Sequence, residues 1–255
     1  MEEDPRDPGR TLGGLTAGRR ATPALSMAAP AAVLEQIAES LKPHGLALRG
    51  AFHPVADDGA PALEGGPCGT ILLLGNLGVS IWPAFSASPE RADGMAHGLD
   101  RWTQRILASL APGFGATALF PFGGPPWLPF QRWAMKADSV TPSPLGILIH
   151  PDYGLWHAYR GAFAFVERLP LPPREQRPSP CDSCIERPCL SACPVGAFTP
   201  GRYDVQRCRD HVAGPDGRAC REEGCLARLA CPIGRAHAYP AAEMAFHMAA
   251  FLAGR

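Results

Sequence analysis

The sequence lacks a hydrophobic run long enough to cross a bilayer. Its apolar stretches, such as residues 71–74 continuing past Gly75, are far shorter than the roughly 20 residues that a spanning helix needs. It also lacks an excess of charge of either sign, because 24 Lys and Arg balance 24 Asp and Glu. We therefore expect no membrane association. The zero net charge provides no direct evidence for nucleic acid, whose phosphates attract a basic surface.

A secretory signal is also lacking, since residues 1–10 are charged and carry no apolar run. This indicates a cytoplasmic protein, in which disulfides rarely persist. Residues 1–28 are rich in Gly, Pro, Arg and Ala without apolar periodicity, so they cannot offset the entropy of ordering. We expect this segment to be a disordered tail.

Cysteine, by contrast, is concentrated in one stretch. Eight of the nine cysteines lie within residues 181–231, and two of them, Cys193 and Cys231, precede proline. Two-cluster ferredoxins draw three thiolates of each cluster from one run, while the cysteine before proline ligates the other cluster. The pattern therefore assigns eight ligands to two [4Fe-4S] clusters: Cys181, Cys184, Cys189 and Cys231 for one, and Cys208, Cys220, Cys225 and Cys193 for the other.

Zinc is the main alternative for these cysteines, because paired Cys-x2-Cys spacings also suit tetrahedral thiolate sites. The repeated Cys-Pro terminus favours clusters, but the spacing is irregular, with four residues between Cys184 and Cys189. One cluster plus zinc, or a disulfide framework, stays an alternative. The ninth cysteine, Cys68, is expected to be a lone buried thiol.

Apolar periodicity predicts an α+β protein. Helices are expected over residues 31–41, 100–110 and 241–252, and strands over residues 46–55, 70–75, 145–149 and 162–166. The proline-rich residues 171–180 are expected to form a semi-rigid linker. We accordingly predict a domain over residues 29–170, a cysteine-rich domain over residues 181–239, and a docked terminal helix within residues 240–255.

Two irregular segments are candidates for a ligand site. Residues 120–133 contain too many turn formers for a regular element, and their aromatic residues suit the wall of a cavity for a large flat ligand. The alternative is that these aromatics only fill a core. Residues 150–161 read as a polar and aromatic turn between two strands, which would present a site at the end of a sheet.

The run Ile-His-Pro-x-Tyr-Gly-x-Trp-x-Ala-x-Arg-Gly over residues 149–161 resembles the signature of the CblC-type cobalamin-processing proteins. Gln131 and Arg132 fall at about the spacing of that family's Gln-Arg pair. The resemblance implies a nitroreductase-like α/β sandwich that binds cobalamin. The family's upstream His-x-x-Gly motif is absent from residues 116–127.

The order of the two parts resembles a second group of proteins. Epoxyqueuosine reductases and the related reductive dehalogenases join a nitroreductase-like cobalamin domain to a small ferredoxin-like dicluster domain, and residues 203–208 are similar to a segment of the former. This implies an oxidoreductase whose clusters pass electrons to a corrinoid. Its partners would be an external electron donor, such as a ferredoxin, flavodoxin or reductase, and a small-molecule substrate that the sequence does not identify.

The candidate site residues follow from the same stretch. As possible proton donors to the substrate we name Tyr153 and His157. Candidate cofactor contacts are Gln131, Arg132, His150, Gly154, Trp156 and Arg160. Arg160 could bind a carboxylate or phosphate through its planar fork, or pin a domain interface instead. Two other functions remain open, a ferredoxin-like electron carrier without a corrinoid and a flavin-dependent iron-sulfur reductase.

Overall fold

The structure is a computed structural model that describes residues 30–199 and 201–254. The segment predicted to be a disordered tail, residues 1–28, lies outside this range.

A four-stranded antiparallel sheet forms the centre of the first part of the chain. Its strands are ordered β1, β2, β6, β3. They span Ala47–Phe52 (β1), Thr70–Leu77 (β2), Thr117–Leu119 (β3) and His157–Phe165 (β6). Two short strands, Thr141–Pro142 (β4) and Leu148–Ile149 (β5), pair beside it. Strand β2 is buried almost throughout because it is central and both its faces are covered, which explains its unbroken apolar run.

Helices cover both faces of the sheet. The helices of this part span Pro30–Leu41 (α1), Trp82–Ser86 (α2), Pro89–Ala92 (α3), Gly98–Leu110 (α4) and Phe130–Ala137 (α5). On one face, Ile37 of α1 and Leu107 of α4 pack with Leu72 and Leu74 of β2. On the other face, α5 packs its buried Trp133 with the alternate side chains of β2. A mixed α and β fold is thus confirmed.

The cysteine-rich part consists of short elements. They span Pro188–Ser191 (α6), Phe198–Thr199 (β7), Arg202–Tyr203 (β8), Val205–Ala213 (α7), Arg218–Glu223 (α8), Leu226–Leu229 (α9) and Ala241–Leu252 (α10). A third core holds Cys189, Phe198 and Cys231 together with Leu145 and Ile149 from the first part. The two parts therefore share buried surface and are docked on each other.

The terminal helix α10 extends this contact. Phe246 lies 5.2 Å from Phe85 and 5.7 Å from Trp82, measured between ring centroids. Within the described residues, no helix combines the length and the apolar character needed to span a bilayer.

Two sequence-based assignments are wrong in detail. Residues 130–133 belong to helix α5, which begins directly after Pro129, so the irregular segment ends earlier than predicted. Residues 157–161 belong to strand β6, because their pairing with β2 continues across an irregularity between Leu74 and Gly75. Their mixed polar and aromatic character has another cause, since the side chains of this half of β6 border a cavity instead of the apolar core.

Candidate functional site

Four cysteines lie close together beside the third core. The pKa of the Cys181 thiol is raised, first by burial and then by the neighbouring thiols of Cys231, Cys189 and Cys184. Helix α6 carries Cys189, and Cys231 follows α9, so short helices from both halves of the cysteine-rich part form this group. Burial likewise raises the pKa of the Cys189 and Cys231 thiols.

The other four cysteines line a cavity of about 460 Å³. They are Cys193, Cys208 on α7, Cys220 on α8, and Cys225 at the start of α9. Burial raises the pKa of the last three thiols. These two groups are the same sets of four to which the Cys-Pro pattern assigns two clusters. That they bind clusters stays a prediction.

The chemistry of both groups fits an iron-sulfur core. Buried thiols that raise one another's pKa resist ionisation until a bound cation compensates the thiolate charge. Within residues 30–199 and 201–254, no three His, Cys, Asp or Glu side chains converge closely enough to hold a single metal ion. A cubane core is larger than an ion, so its thiolates converge less closely. All nine cysteines are free thiols, including the half-buried Cys68.

The second group has hydrogen-bond donors at its sulfurs. The Tyr203 hydroxyl donates to Cys208 and lowers the pKa of that thiol against the effect of burial. The backbone N–H of Ala197 donates to Cys193 Sγ over 3.3 Å. Tyr203 is fixed by stacking on Phe198, with ring centroids 4.5 Å apart. Such donors to ligating sulfurs tune the reduction potential of a bound cluster.

A second cavity, of about 410 Å³, lies between the sheet and the cysteine-rich part. Three predicted site residues line it: Gln131 of α5, and His157 and Arg160 of β6. The same half of β6 adds Ala158 and Tyr159. The cavity also has walls that the sequence did not indicate, formed by Asn76, Arg228, Tyr239 and His247. We call this space the interdomain cavity.

His157 is held as a neutral imidazole. Its Nε2 donates to the Leu148 carbonyl over 3.1 Å, and its buried Nδ1 has no partner in the described structure. Burial, reinforced by the positive charge of Arg49, lowers the His157 pKa to about 3. The side chain is therefore uncharged near neutral pH, and its role as a proton donor stays a prediction. The side chain can accept a hydrogen bond at Nδ1.

A buried ionic network supports the cavity wall. Arg49 Nη2 lies 2.8 Å from Asp138 Oδ2, and both side chains are at most 10% exposed. The Tyr159 hydroxyl donates to the same carboxylate oxygen over 2.9 Å, and the Arg49 guanidinium lies 4.9 Å from the Tyr159 ring centre. Burial raises the pKa of Tyr159, so its phenol stays protonated. Spacing could not reveal this network, because Arg49 and Asp138 are 89 residues apart.

Arg228 stands between the two cavities. Its guanidinium lies 4.4 Å from the Trp156 ring centre and 4.6 Å from that of Tyr239. Its Nη2 donates to the Leu155 carbonyl over 2.5 Å. Tyr239 is fixed in turn by Asn76, whose Nδ2 donates to the phenol oxygen over 3.1 Å. Arg228 is thereby clamped by residues of both parts of the chain.

Five predicted site residues do not line the interdomain cavity. Arg132 lies near Asp58, a carboxyl whose pKa is raised by burial but lowered overall by Lys136, the Val55 N–H and, least, Arg132. Trp156 is buried against Arg228 and borders a space of about 40 Å³. The other three, His150, Tyr153 and Gly154, belong to one turn. In it, His150 Nδ1 accepts a hydrogen bond from the Asp152 N–H over 3.0 Å, and Tyr153 packs between His150 and His237. Gly154 contacts the 231–234 turn. The turn of His150 to Gly154 thus joins the two parts of the chain, and the predicted roles of these three residues at a ligand stay predictions.

No protein-family model matches this chain, and no curated protein matches its sequence. Two similar solved structures are both of epoxyqueuosine reductase. One, with an epoxyqueuosine-modified tRNA-Tyr stem loop, has a TM-score of 0.48 at 17% identity, covering 83% of this chain and 68% of that one. The other, labelled with selenomethionine, has a TM-score of 0.48 at 16% identity, covering 84% and 69%. Similarity at this level establishes neither family membership nor activity.

The structure with the tRNA stem loop corrects one expectation. The zero net charge provides no direct evidence for nucleic acid, yet a protein similar in structure was solved with a tRNA stem loop. Net charge summed over a whole chain does not describe the charge of one surface. The expectation of no direct evidence for nucleic acid is therefore wrong.

Proposed function

We propose that this chain is an iron-sulfur oxidoreductase that delivers electrons into the interdomain cavity. The observation that carries this proposal is a shared wall. Ile147 and Arg228 line both the 460 Å³ cavity of the second cysteine group and the interdomain cavity. A cluster held by Cys193, Cys208, Cys220 and Cys225 would be separated from a molecule in the interdomain cavity by those side chains.

The two cysteine groups would hold the clusters. Bound [4Fe-4S] clusters supply single electrons over a range that extends to about −700 mV. The protein's part is to hold the thiolates, to limit access of water, and to donate hydrogen bonds to sulfur from Tyr203 and the Ala197 N–H. The cysteine-rich part shares a core with the first part, because Leu145 and Ile149 pack against its cysteines. The clusters would therefore be held against the first part of the chain.

The first candidate acceptor is a corrinoid, as the resemblance of residues 149–161 implies. The segments expected to contact it, residues 120–133 and 150–160, contribute Pro121, Phe130, Gln131 and residues 157–160 to the cavity wall. A complete corrinoid is larger than about 410 Å³, so these residues would contact only part of it. When bound, a corrinoid would supply a cobalt centre that becomes nucleophilic on reduction.

The second candidate acceptor is a flavin, and the size of the cavity favours it. A cavity of about 410 Å³ is in the usual range for small-molecule sites and is comparable to a flat three-ring system. Its apolar wall from Phe130, Leu148 and Leu155 suits a ring face, while the amides of Asn76 and Gln131 suit a heteroatom edge. A ferredoxin-like electron carrier without either cofactor is the third possibility.

The visible spectrum of full-length protein separates these functions. We expect protein produced with added cobalamin and purified without oxygen to show cluster absorbance together with corrin bands. We also expect reduced clusters to reduce bound cob(II)alamin, and cysteine-to-serine changes in either group to stop that reduction while binding persists. Flavin bands would move the proposal to the second candidate. Cluster absorbance alone, with no cobalamin or flavin binding by calorimetry, would contradict an acceptor in the cavity.

A further inference from the structure

The permanently charged side chains that line the interdomain cavity are both cations. They are Arg160 on β6 and Arg228 on α9, and no Asp or Glu of the described residues lines the same space. His157 is uncharged near neutral pH because burial lowers its pKa to about 3. The cavity therefore has a positive potential that its own lining does not neutralise.

Arg228 has unused hydrogen-bonding capacity. Only its Nη2 has a protein acceptor, the Leu155 carbonyl, and its Nε is buried without a partner. Among the ion pairs of residues 30–199 and 201–254, none includes Arg228. The aromatic rings of Trp156 and Tyr239 hold the guanidinium in place but do not balance its charge.

Arg160 is also incompletely paired. Its Nη1 lies 3.6 Å from Asp100 Oδ1, which is longer than a hydrogen bond, and its Nε is buried without a partner. The side chain is 18% exposed, so water compensates it only in part. Arg160 thus has one ion-pair partner beyond hydrogen-bond distance, and Arg228 has none among the described residues. A half-buried guanidinium that is incompletely balanced is costly, and an anionic ligand would relieve that cost.

We propose that the interdomain cavity binds the oxyanion of an organic ligand, a carboxylate or a phosphate, through Arg160 and Arg228. Planar guanidinium forks match both anions and form charge-assisted hydrogen bonds with them. The apolar residues Phe130 and Leu155 would contact the rest of the ligand. This inference rests on the proposed function in that the anionic molecule would occupy the space into which electrons are delivered.

Matched aromatic probes test the proposal on the full-length protein. Benzoate and benzamide have nearly the same shape but differ in charge, and phenyl phosphate represents the phosphate ester. By calorimetry at low ionic strength, we expect benzoate or phenyl phosphate to bind at least about tenfold more tightly than benzamide, which corresponds to about 1.4 kcal/mol. The stronger of the two anions identifies the chemistry of the natural ligand. Equal binding of all three probes, or no anion binding at millimolar concentration, would overturn the proposal.

Two variants locate the site. Arg228→Gln and Arg160→Gln should each weaken binding of the preferred anion by about tenfold or more, because each removes one cation. Arg168→Gln is the control, since Arg168 is exposed and lines none of the cavities described above. Unchanged anion binding in both cavity variants would contradict the assignment. If Arg228→Gln fails to fold, Arg160→Gln and the benzoate to benzamide ratio of the wild type still decide it.

The same preparations distinguish this inference from the proposed function. Iron, sulfide and cluster reduction are measured on each. Anion binding by protein that forms no clusters would support the anion site and contradict the redox proposal. Clusters that reduce an acceptor, in protein that binds no anion, would leave the redox proposal standing and refute the anion site.

Discussion

At the scale of single residues, the cavity wall depends on a carboxylate that balances a buried cation. Asp138 lies against Arg49 and accepts the Tyr159 hydroxyl. Burying two charges is costly, and their attraction offsets the cost only while both partners are present. The hydrogen bond from the Tyr159 hydroxyl contributes less, because its loss leaves no buried charge unbalanced.

Asp138→Asn should therefore destabilise the fold by about 3 kcal/mol, since it leaves the Arg49 charge buried and unbalanced. Tyr159→Phe should cost about 1 kcal/mol. Anaerobic urea unfolding, followed by circular dichroism, measures both. Glu39→Gln is the control, because Glu39 pairs with Lys42 at the surface and its loss should cost less than about 0.5 kcal/mol. Equal effects of Asp138→Asn and Glu39→Gln would show that the pair does not stabilise the fold.

His157 makes stability depend on pH. Its pKa falls from an unfolded value near 6.5 to about 3 in the folded protein, chiefly through burial. Between those values the unfolded chain binds a proton that the folded chain does not, so stability decreases as pH falls below 6.5. From pH 7 to pH 5.5 the wild type should lose about 1 kcal/mol more than His157→Asn in anaerobic urea unfolding. Identical losses in the two proteins would mean that His157 titrates normally.

At the scale of elements, the joint between the two parts depends on close backbone contact. Gly154 has φ +57°, and a Cβ there would lie 2.0 Å from the Ile233 carbonyl oxygen. The turn that carries Gly154 is closed by hydrogen bonds between Gly154 and His150. Residues 150–154 therefore contact the 231–234 turn and do not line the interdomain cavity.

Gly154→Ala should separate the 150–154 turn from the 231–234 turn. Gly146→Ala is a matched control, because Gly146 also has positive φ, +77°, but its Cβ would meet nothing within 4 Å. The control should cost about 1 to 2 kcal/mol from backbone strain alone. Gly154→Ala should cost clearly more and should increase proteolysis between residues 171 and 180. A similar melting temperature for the two variants would show that the contact does not hold the parts together.

The elements that could be predicted from sequence were those with one simple environment. An unbroken apolar run predicts strand β2 and helical apolar periodicity predicts helix α4, since each packs on a continuous core. The first half of β6 is wrongly predicted to be a turn, because its side chains border a cavity and so lack apolar periodicity. The sequence also does not indicate that Arg228 and Tyr239 line the cavity, since their contacts form only when the two parts of the chain meet.

At the scale of the whole molecule, each of the two cysteine groups combines residues from the early and the late half of the cysteine-rich part. Cys193 lies with Cys208, Cys220 and Cys225, while Cys231 lies with the earlier run, as the crossed assignment from the Cys-Pro pattern requires. If two clusters form, each depends on ligands from both ends of this segment. Loss of one cysteine should then affect the cluster of the opposite run.

Cys193→Ser should damage the cluster of Cys208, Cys220 and Cys225, and Cys231→Ser should damage the cluster of Cys181, Cys184 and Cys189. After reduction, the two variants should each lack a different electron paramagnetic resonance signal. Cys68→Ser is the control and should leave both signals unchanged, because Cys68 lies in neither group. Spectra in which each change affects only the cluster of its own run would refute the crossed ligation.

The proposed function requires that the two cysteine groups bind two [4Fe-4S] clusters. Iron and acid-labile sulfide analysis of anaerobically reconstituted full-length protein tests it most directly. We expect about eight iron and about eight sulfide per chain, four of each for every cluster. Zinc without iron and sulfide, or about four iron and four sulfide together with zinc, would contradict it.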